Sequence, residues 1–118
     1  MIPAPLLVGV GGLVGALCRF VVDAAVTGER GTVVVNVAGS VALGGLSVVA
    51  DGAVGLALGT GFCGAFTTFS SLAVVVAERV ERGAYLAARY GGGVLALTLF
   101  GVALGRGIAL GWDVVGAL

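Results

Sequence analysis

Hydroxyl and amide side chains recur along two apolar stretches of this chain. Their spacing gathers them on helix faces. Thr32, Asn36, Ser40 and Ser47 are the polar residues of the uncharged stretch Thr32–Ala50. At 3.6 residues per turn they fall within about 80° of one another. A carboxamide in an apolar surrounding is costly unless it is hydrogen-bonded. The stripe therefore either bonds neighbouring backbone and holds helices together, or lines a polar track in which Asn36 donates to an ion. A second run, Gly59 to Ser71, crowds three glycines and five hydroxyls into one segment. Glycine loosens a helix, and Ser and Thr can bond the backbone so freed. The run predicts a helix broken near the middle of its span, with a kinked packing helix as the alternative. A broken helix exposes carbonyl ends suited to cations and amide ends suited to anions. Tyr90 and Thr98 lie nearly on one face, with Val94 between them. Thr98 either joins a pore or bonds back to its own helix. Arg19 is deep in the first apolar stretch. It serves either as a snorkelling anchor or as an electropositive vestibule for an anion.

The elements that must position these residues follow from composition. Of 118 residues, 59% are hydrophobic and only 10% charged. That is too little polar surface for a water-soluble globule, which carries about 25% charged residues. Charge clusters at Glu29-Arg30, Asp51 and Glu78–Arg82 punctuate the chain. Between them lie four segments, 5–26, 32–50, 53–77 and 84–110, each near the roughly 20 residues a membrane helix needs. The segments do not alternate with period two, so helices rather than barrel strands are predicted. The reading is one all-α domain of four transmembrane helices, multi-pass in the cell membrane. The first segment lacks the basic flank of a cleaved leader. Two of the three small-xxx-small glycine pairs are Gly11/Gly15 and Gly101/Gly105, and the third is Gly55/Gly59. Such pairs predict close helix packing. Four short helices do not easily enclose a polar path, so a dimer or larger assembly is expected.

Several chemistries are excluded. With no His, neither a zinc site nor a His-based triad can be built, and no nucleophile–base pair is available to an enzyme. Zero net charge with no basic stripe gives nucleic acid no footprint. Cys18 and Cys63 read as small packing residues. Neither 32–50 nor 53–77 holds a carboxylate, which argues against a small multidrug-type, proton-coupled exchanger.

Four pieces of the chain resemble the Fluc (CrcB-type) fluoride channel family. They are Gly11–Arg19, Gly31–Ser40, Gly61–Ser70 and Tyr90–Gly105, in the family's order. Gly61-Phe62-Cys63-Gly64-Ala65-Phe66-Thr67-Thr68-Phe69-Ser70 is the most specific of them. The resemblance implies an antiparallel, dual-topology dimer that conducts F⁻ passively out of the cytoplasm. It implies a structural, untransported Na⁺ at the dimer centre, held by the backbone carbonyls of Gly64 and Thr67. Two carbonyls from each subunit would give this hard cation four oxygens. It places the pore Asn on Asn36 and a pore Phe on Phe69, whose positive ring edge can face an anion. Thr32, Ser40, Thr98 and Tyr90 complete the expected path. Three positions depart from the pattern. Leu72 stands where the family has a second pore Phe, Val75 where it has a Glu, and Val94 where it has a Ser.

The arginines also predict an orientation. Four spans put Arg30, Arg79, Arg82 and Arg89 on one side and Arg106 on the other. Such a bias fixes topology in short loops, so both termini are expected outside. A fixed orientation would require a paralogous subunit, inserted oppositely, to complete the dimer in place of a second copy.

Overall fold

The computed structural model describes the whole chain, Met1–Leu118. Helix α1 spans Ala4–Ala25, with Pro5 in its first turn, where a missing N–H costs nothing. Helix α2 spans Glu29–Val49, with the Glu29 carboxylate at its positive end. Helix α3, Gly52–Val54, runs directly into a π-helical stretch, Gly55–Cys63, and then into α4, Gly64–Phe66. Thr67 (φ −77°, ψ 160°) and Thr68 (φ −143°, ψ 115°) are extended. Helix resumes as α5, Phe69–Arg82. Helix α6, Ala84–Gly116, follows after Gly83 alone, whose φ of 143° suits only glycine.

Four stretches are long and apolar enough to cross a membrane: α1, α2, Gly52–Arg82 and α6. The ends differ from the sequence reading. Glu78–Arg82, expected as a connecting loop, forms the end of α5. Four of these five residues are Glu or Arg, which are good helix formers, and Arg79 and Arg82 in the last turn complement its negative end. A helix that outlasts its apolar stretch keeps such charges in water without unwinding. Helix α6 has 33 residues, or about 50 Å. It is therefore longer than a hydrocarbon core of about 30 Å.

Packing follows two seams. Helix α1 lies on the π-helical stretch and α4, while α6 packs against both α2 and α5. Both seams are backbone against backbone. A Cβ at Gly11 would strike the Ala57 carbonyl, and one at Gly15 the Phe62 carbonyl. On the second seam, Gly105 abuts the Val41 carbonyl and Gly44 the Val102 carbonyl. The Gly55/Gly59 pair departs from expectation. Gly55 faces its own preceding turn at Ala50, and Gly59 meets only the Leu43 side chain at 3.7 Å. Fully buried large side chains are few, Val35 and Cys63. Large apolar side chains such as Leu13, Phe20, Leu99 and Phe100 cover the exterior instead, as suits lipid contact.

Candidate functional site

The two seams leave an open groove of about 690 Å³ along α2, the third span and the facing side of α6. Asn36, Ser40, Gly64, Thr67, Phe69, Leu72 and Thr98 line it, with Thr68 and Val94. Most of the expected path residues are thus brought together by one chain. Thr32 is not among them; it is buried in the packing of α2. Tyr90 lies in a second hollow of about 380 Å³, beside Arg79 and Arg89. Val94 borders both hollows.

The groove is organised around Thr67 and Thr68. In an unbroken helix the Thr68 N–H would donate to the Gly64 carbonyl, four residues back. Here it donates to Asn36 Oδ1 at 2.7 Å, and Asn36 Nδ2 donates to the Thr68 carbonyl at 3.1 Å. One buried carboxamide therefore replaces two backbone partners. Its Nδ2 carries a second hydrogen, and Asn36 also borders the groove. The amide thus holds the extended backbone and retains one donor. Thr68, itself buried, caps α5 by accepting from the Ser71 N–H at 3.2 Å. Its hydroxyl also donates to Ser71 Oγ at 3.1 Å. Thr67 bonds back to the Cys63 carbonyl through its N–H and its hydroxyl, at 3.1 and 2.9 Å.

Arg19 reaches the same place from α1, with Nη1 donating to the Thr67 carbonyl at 3.4 Å. No cluster of three His, Cys, Asp or Glu side chains exists to hold a metal ion. A cation at Thr67 and Thr68 would have to be held by backbone oxygens, and the Gly64 carbonyl is the one released by the diversion of the Thr68 N–H.

Phe69 is the most exposed aromatic ring near the groove, at 82%. It contributes little to packing within its own chain. Leu72 is half-buried on the same helix. Thr98 donates to its own Leu95 carbonyl at 2.8 Å. Ser47, at the far end of the α2 stripe, donates to the Gly44 carbonyl and accepts from Arg106.

Two features escape a reading by composition. The Thr68 cap has a sequence signal, a Thr followed three residues later by a Ser whose N–H it accepts. The clamp on Tyr90 has none. The Tyr90 hydroxyl donates to the Glu29 carbonyl at 3.4 Å, and Arg79, ion-paired with Glu29, lies 4.4 Å over its ring. That assembly joins residues distant in sequence across α2, α5 and α6.

Comparison with known proteins places this architecture. A chain of Haloarcula marismortui named fluoride-specific ion channel FluC 2 is 45% identical over 86% of this chain and 90% of its own length. One of Natronomonas pharaonis with the same name is 49% identical over 90% and 92%. One of Halobacterium salinarum, again so named, is 44% identical over 87% and 84%. The four apolar helices and these channel relatives together make this a multi-pass membrane protein. The family described as CrcB-like protein, Camphor Resistance (CrcB), matches residues 6–106, and the chain therefore belongs to the CrcB-like family.

Proposed function

We propose that this chain is a fluoride-selective channel that lets F⁻ leave the cytoplasm passively across the cell membrane. Its relatives named as fluoride-specific channels support the ion. The observation that carries the reading is the Asn36–Thr68 pairing, which opens onto a hydroxyl-lined groove with Phe69 at its rim. A dehydrating F⁻ needs donors in place of water. Asn36's second N–H and the Ser40 hydroxyl supply them, and a ring edge of Phe69 faces the anion without a fixed cation. Relatives named as ion channels support a conduit rather than an enzyme.

One chain supplies only one wall of such a path. A second copy in antiparallel orientation, covering the groove and the exposed Phe69, would close it. The released Gly64 carbonyl and the Thr67 carbonyl fit a structural Na⁺ shared with that partner. They are hard neutral oxygens, and two from each subunit make four. When bound, Na⁺ would supply fixed positive charge at the dimer centre and bind only the assembled form, stabilising it by mass action. Replacing Na⁺ with a large organic cation is expected to loosen the dimer and abolish flux; a dimer and a flux unchanged without Na⁺ would remove the site.

The test of the main reading is F⁻ efflux from liposomes containing the purified chain, read with a fluoride electrode. Efflux of F⁻ but not Cl⁻ is expected. One observation favours a variant of this reading. The threading of the four spans puts Arg30, Arg79, Arg82 and Arg89 at one end and Arg106 at the other. A chain so biased inserts one way, and its antiparallel partner is then a paralogous subunit. A reporter on the C-terminus decides between the two. A single external signal, with no efflux from this chain alone, identifies the heterodimer; equal signals on both sides identify the homodimer.

A further inference from the structure

We infer that Arg19 sets the Na⁺ affinity of the Thr67 carbonyl by holding a competing positive charge against it, an inference that rests on the Na⁺ reading above. The guanidinium reaches from α1 to the Thr67 carbonyl at 3.4 Å. Thr67's N–H and hydroxyl are both engaged with Cys63. The carbonyl is thus the polar group of Thr67 left for a partner outside its own helix, and Arg19 is that partner.

The charge on Arg19 is not neutralised within the chain. The single side-chain ion pair joins Arg79 to Glu29. An arginine does not shed its proton. A carbonyl oxygen carries two lone pairs, so Na⁺ and a guanidinium could meet on one oxygen, as like charges only a few ångströms apart. Among apolar helices, screening between them is weak. Binding of Na⁺ must therefore push the guanidinium off Thr67 or bear the repulsion. At 3.4 Å the existing bond is long, beyond the usual N–H···O range of roughly 2.7–3.2 Å. The guanidinium is accordingly displaceable. Arg19 is then the break's own cation, holding Thr67 when Na⁺ is scarce and raising the Na⁺ concentration needed to fill the site.

The experiment titrates Na⁺ against N-methylglucamine at constant ionic strength, using the purified full-length chain. Its readouts are dimer retention by cross-linking and the midpoint of thermal unfolding, neither of which requires F⁻ flux. Arg19→Gln keeps an N–H donor and removes the charge, and Arg19→Lys keeps the charge. Arg19→Gln is expected to lower the half-saturating Na⁺ concentration by about tenfold or more, while Arg19→Lys stays within about threefold of the parent. If Arg19→Gln does not fold, Arg19→Met retains the apolar stem and carries the same expectation. An Arg19→Gln midpoint equal to or above the parent's overturns the inference. So does an Arg19→Lys shift as large as the Gln shift. Na⁺ dependence in the parent with no shift in Arg19→Gln leaves the Na⁺ site standing without this role for Arg19. No Na⁺ dependence in any chain removes both.

Discussion

Glycine does opposite work in two regions of this molecule. Along the seams, Gly11, Gly15, Gly44 and Gly105 are places where one backbone touches another, and a single added carbon has nowhere to go. Beside the groove, Gly59 meets one side chain at 3.7 Å and Gly64 meets nothing within 4 Å. The seams consume their small residues in packing, whereas Gly59 and Gly64 leave room beside the groove; Gly39, which also lines it, is packed against Thr67 and Phe66. Polar side chains differ by their partners even inside the groove. Ser47 and Asn36 both border it; Ser47 is committed at both its donor and its acceptor, whereas Asn36 holds the extended backbone and retains one donor. A residue type therefore does not announce its role; what lies opposite does.

The largest effect is expected from breaking a seam. Gly105→Leu must drive α6 away from the Val41 carbonyl. Overpacking of this kind costs about 1–3 kcal/mol and more where backbone must move. Loss of monodisperse protein in size-exclusion chromatography is the expected outcome. Its control is Gly107→Ala, at a glycine with nothing within 4 Å in the interior of α6, which should not destabilise and should gain up to about 1 kcal/mol of helix propensity. Equal behaviour of the two would erase the distinction between seam and open surface.

Next in size is Asn36→Ala. It leaves the Thr68 N–H and carbonyl without their partner, at about 1–3 kcal/mol for each buried group orphaned. The thermal midpoint and F⁻ efflux should fall together. A fall in efflux with an unmoved midpoint would mean that the amide serves the ion alone.

Phe69→Ile should separate the two quantities the other way. The ring is 82% exposed within the chain, so each folded subunit should lose under about 1 kcal/mol. F⁻ efflux should fall at least about tenfold if the ring edge faces the anion. Parental efflux would make Phe69 a lipid-facing or packing side chain.

The legibility of these features in the sequence was uneven for physical reasons. Four apolar stretches between charge clusters are enough to place four spans, because lipid imposes a length and makes charge costly. The helix ends are not legible the same way. Glu78–Arg82 is as polar as any loop, yet a helix that outruns the bilayer solvates those charges without unwinding. Glycine spacing marks the Gly11/Gly15 seam and the Gly101/Gly105 seam. It does not reveal Gly44, which packs on the Val102 carbonyl but has no glycine four residues away to mark it. The stripe from Thr32 to Ser47 identifies a polar face but not its division. Only the fold shows that Thr32 is buried in packing, Asn36 pairs with Thr68, and Ser40 lines the groove. Tyr90's clamp by Glu29 and Arg79 depends on contacts across three helices, and pattern along one chain carries no trace of it.

The smallest effect, and the finest test of the contrast, is expected at Thr98. Its hydroxyl borders the groove and would serve an anion only by donating. That single proton is directed to the Leu95 carbonyl at 2.8 Å, one turn back on the same helix. Turning it toward F⁻ would cost this bond, about 1 kcal/mol, and gain one donor in a path that already has Asn36 and Ser40. Thr98→Val keeps the branched shape and removes only the hydroxyl. Such a bond within a helix contributes little to its stability, so the thermal midpoint should hardly move. F⁻ efflux should stay within about twofold of the parent, a difference of under about 0.5 kcal/mol in barrier. Ser40→Ala, which removes a hydroxyl from the α2 side of the same groove, should reduce efflux more. The reverse order, with Thr98→Val the more damaging, would show that the Leu95 bond breaks when the ion passes. The α6 wall rather than the α2 wall would then supply the donors.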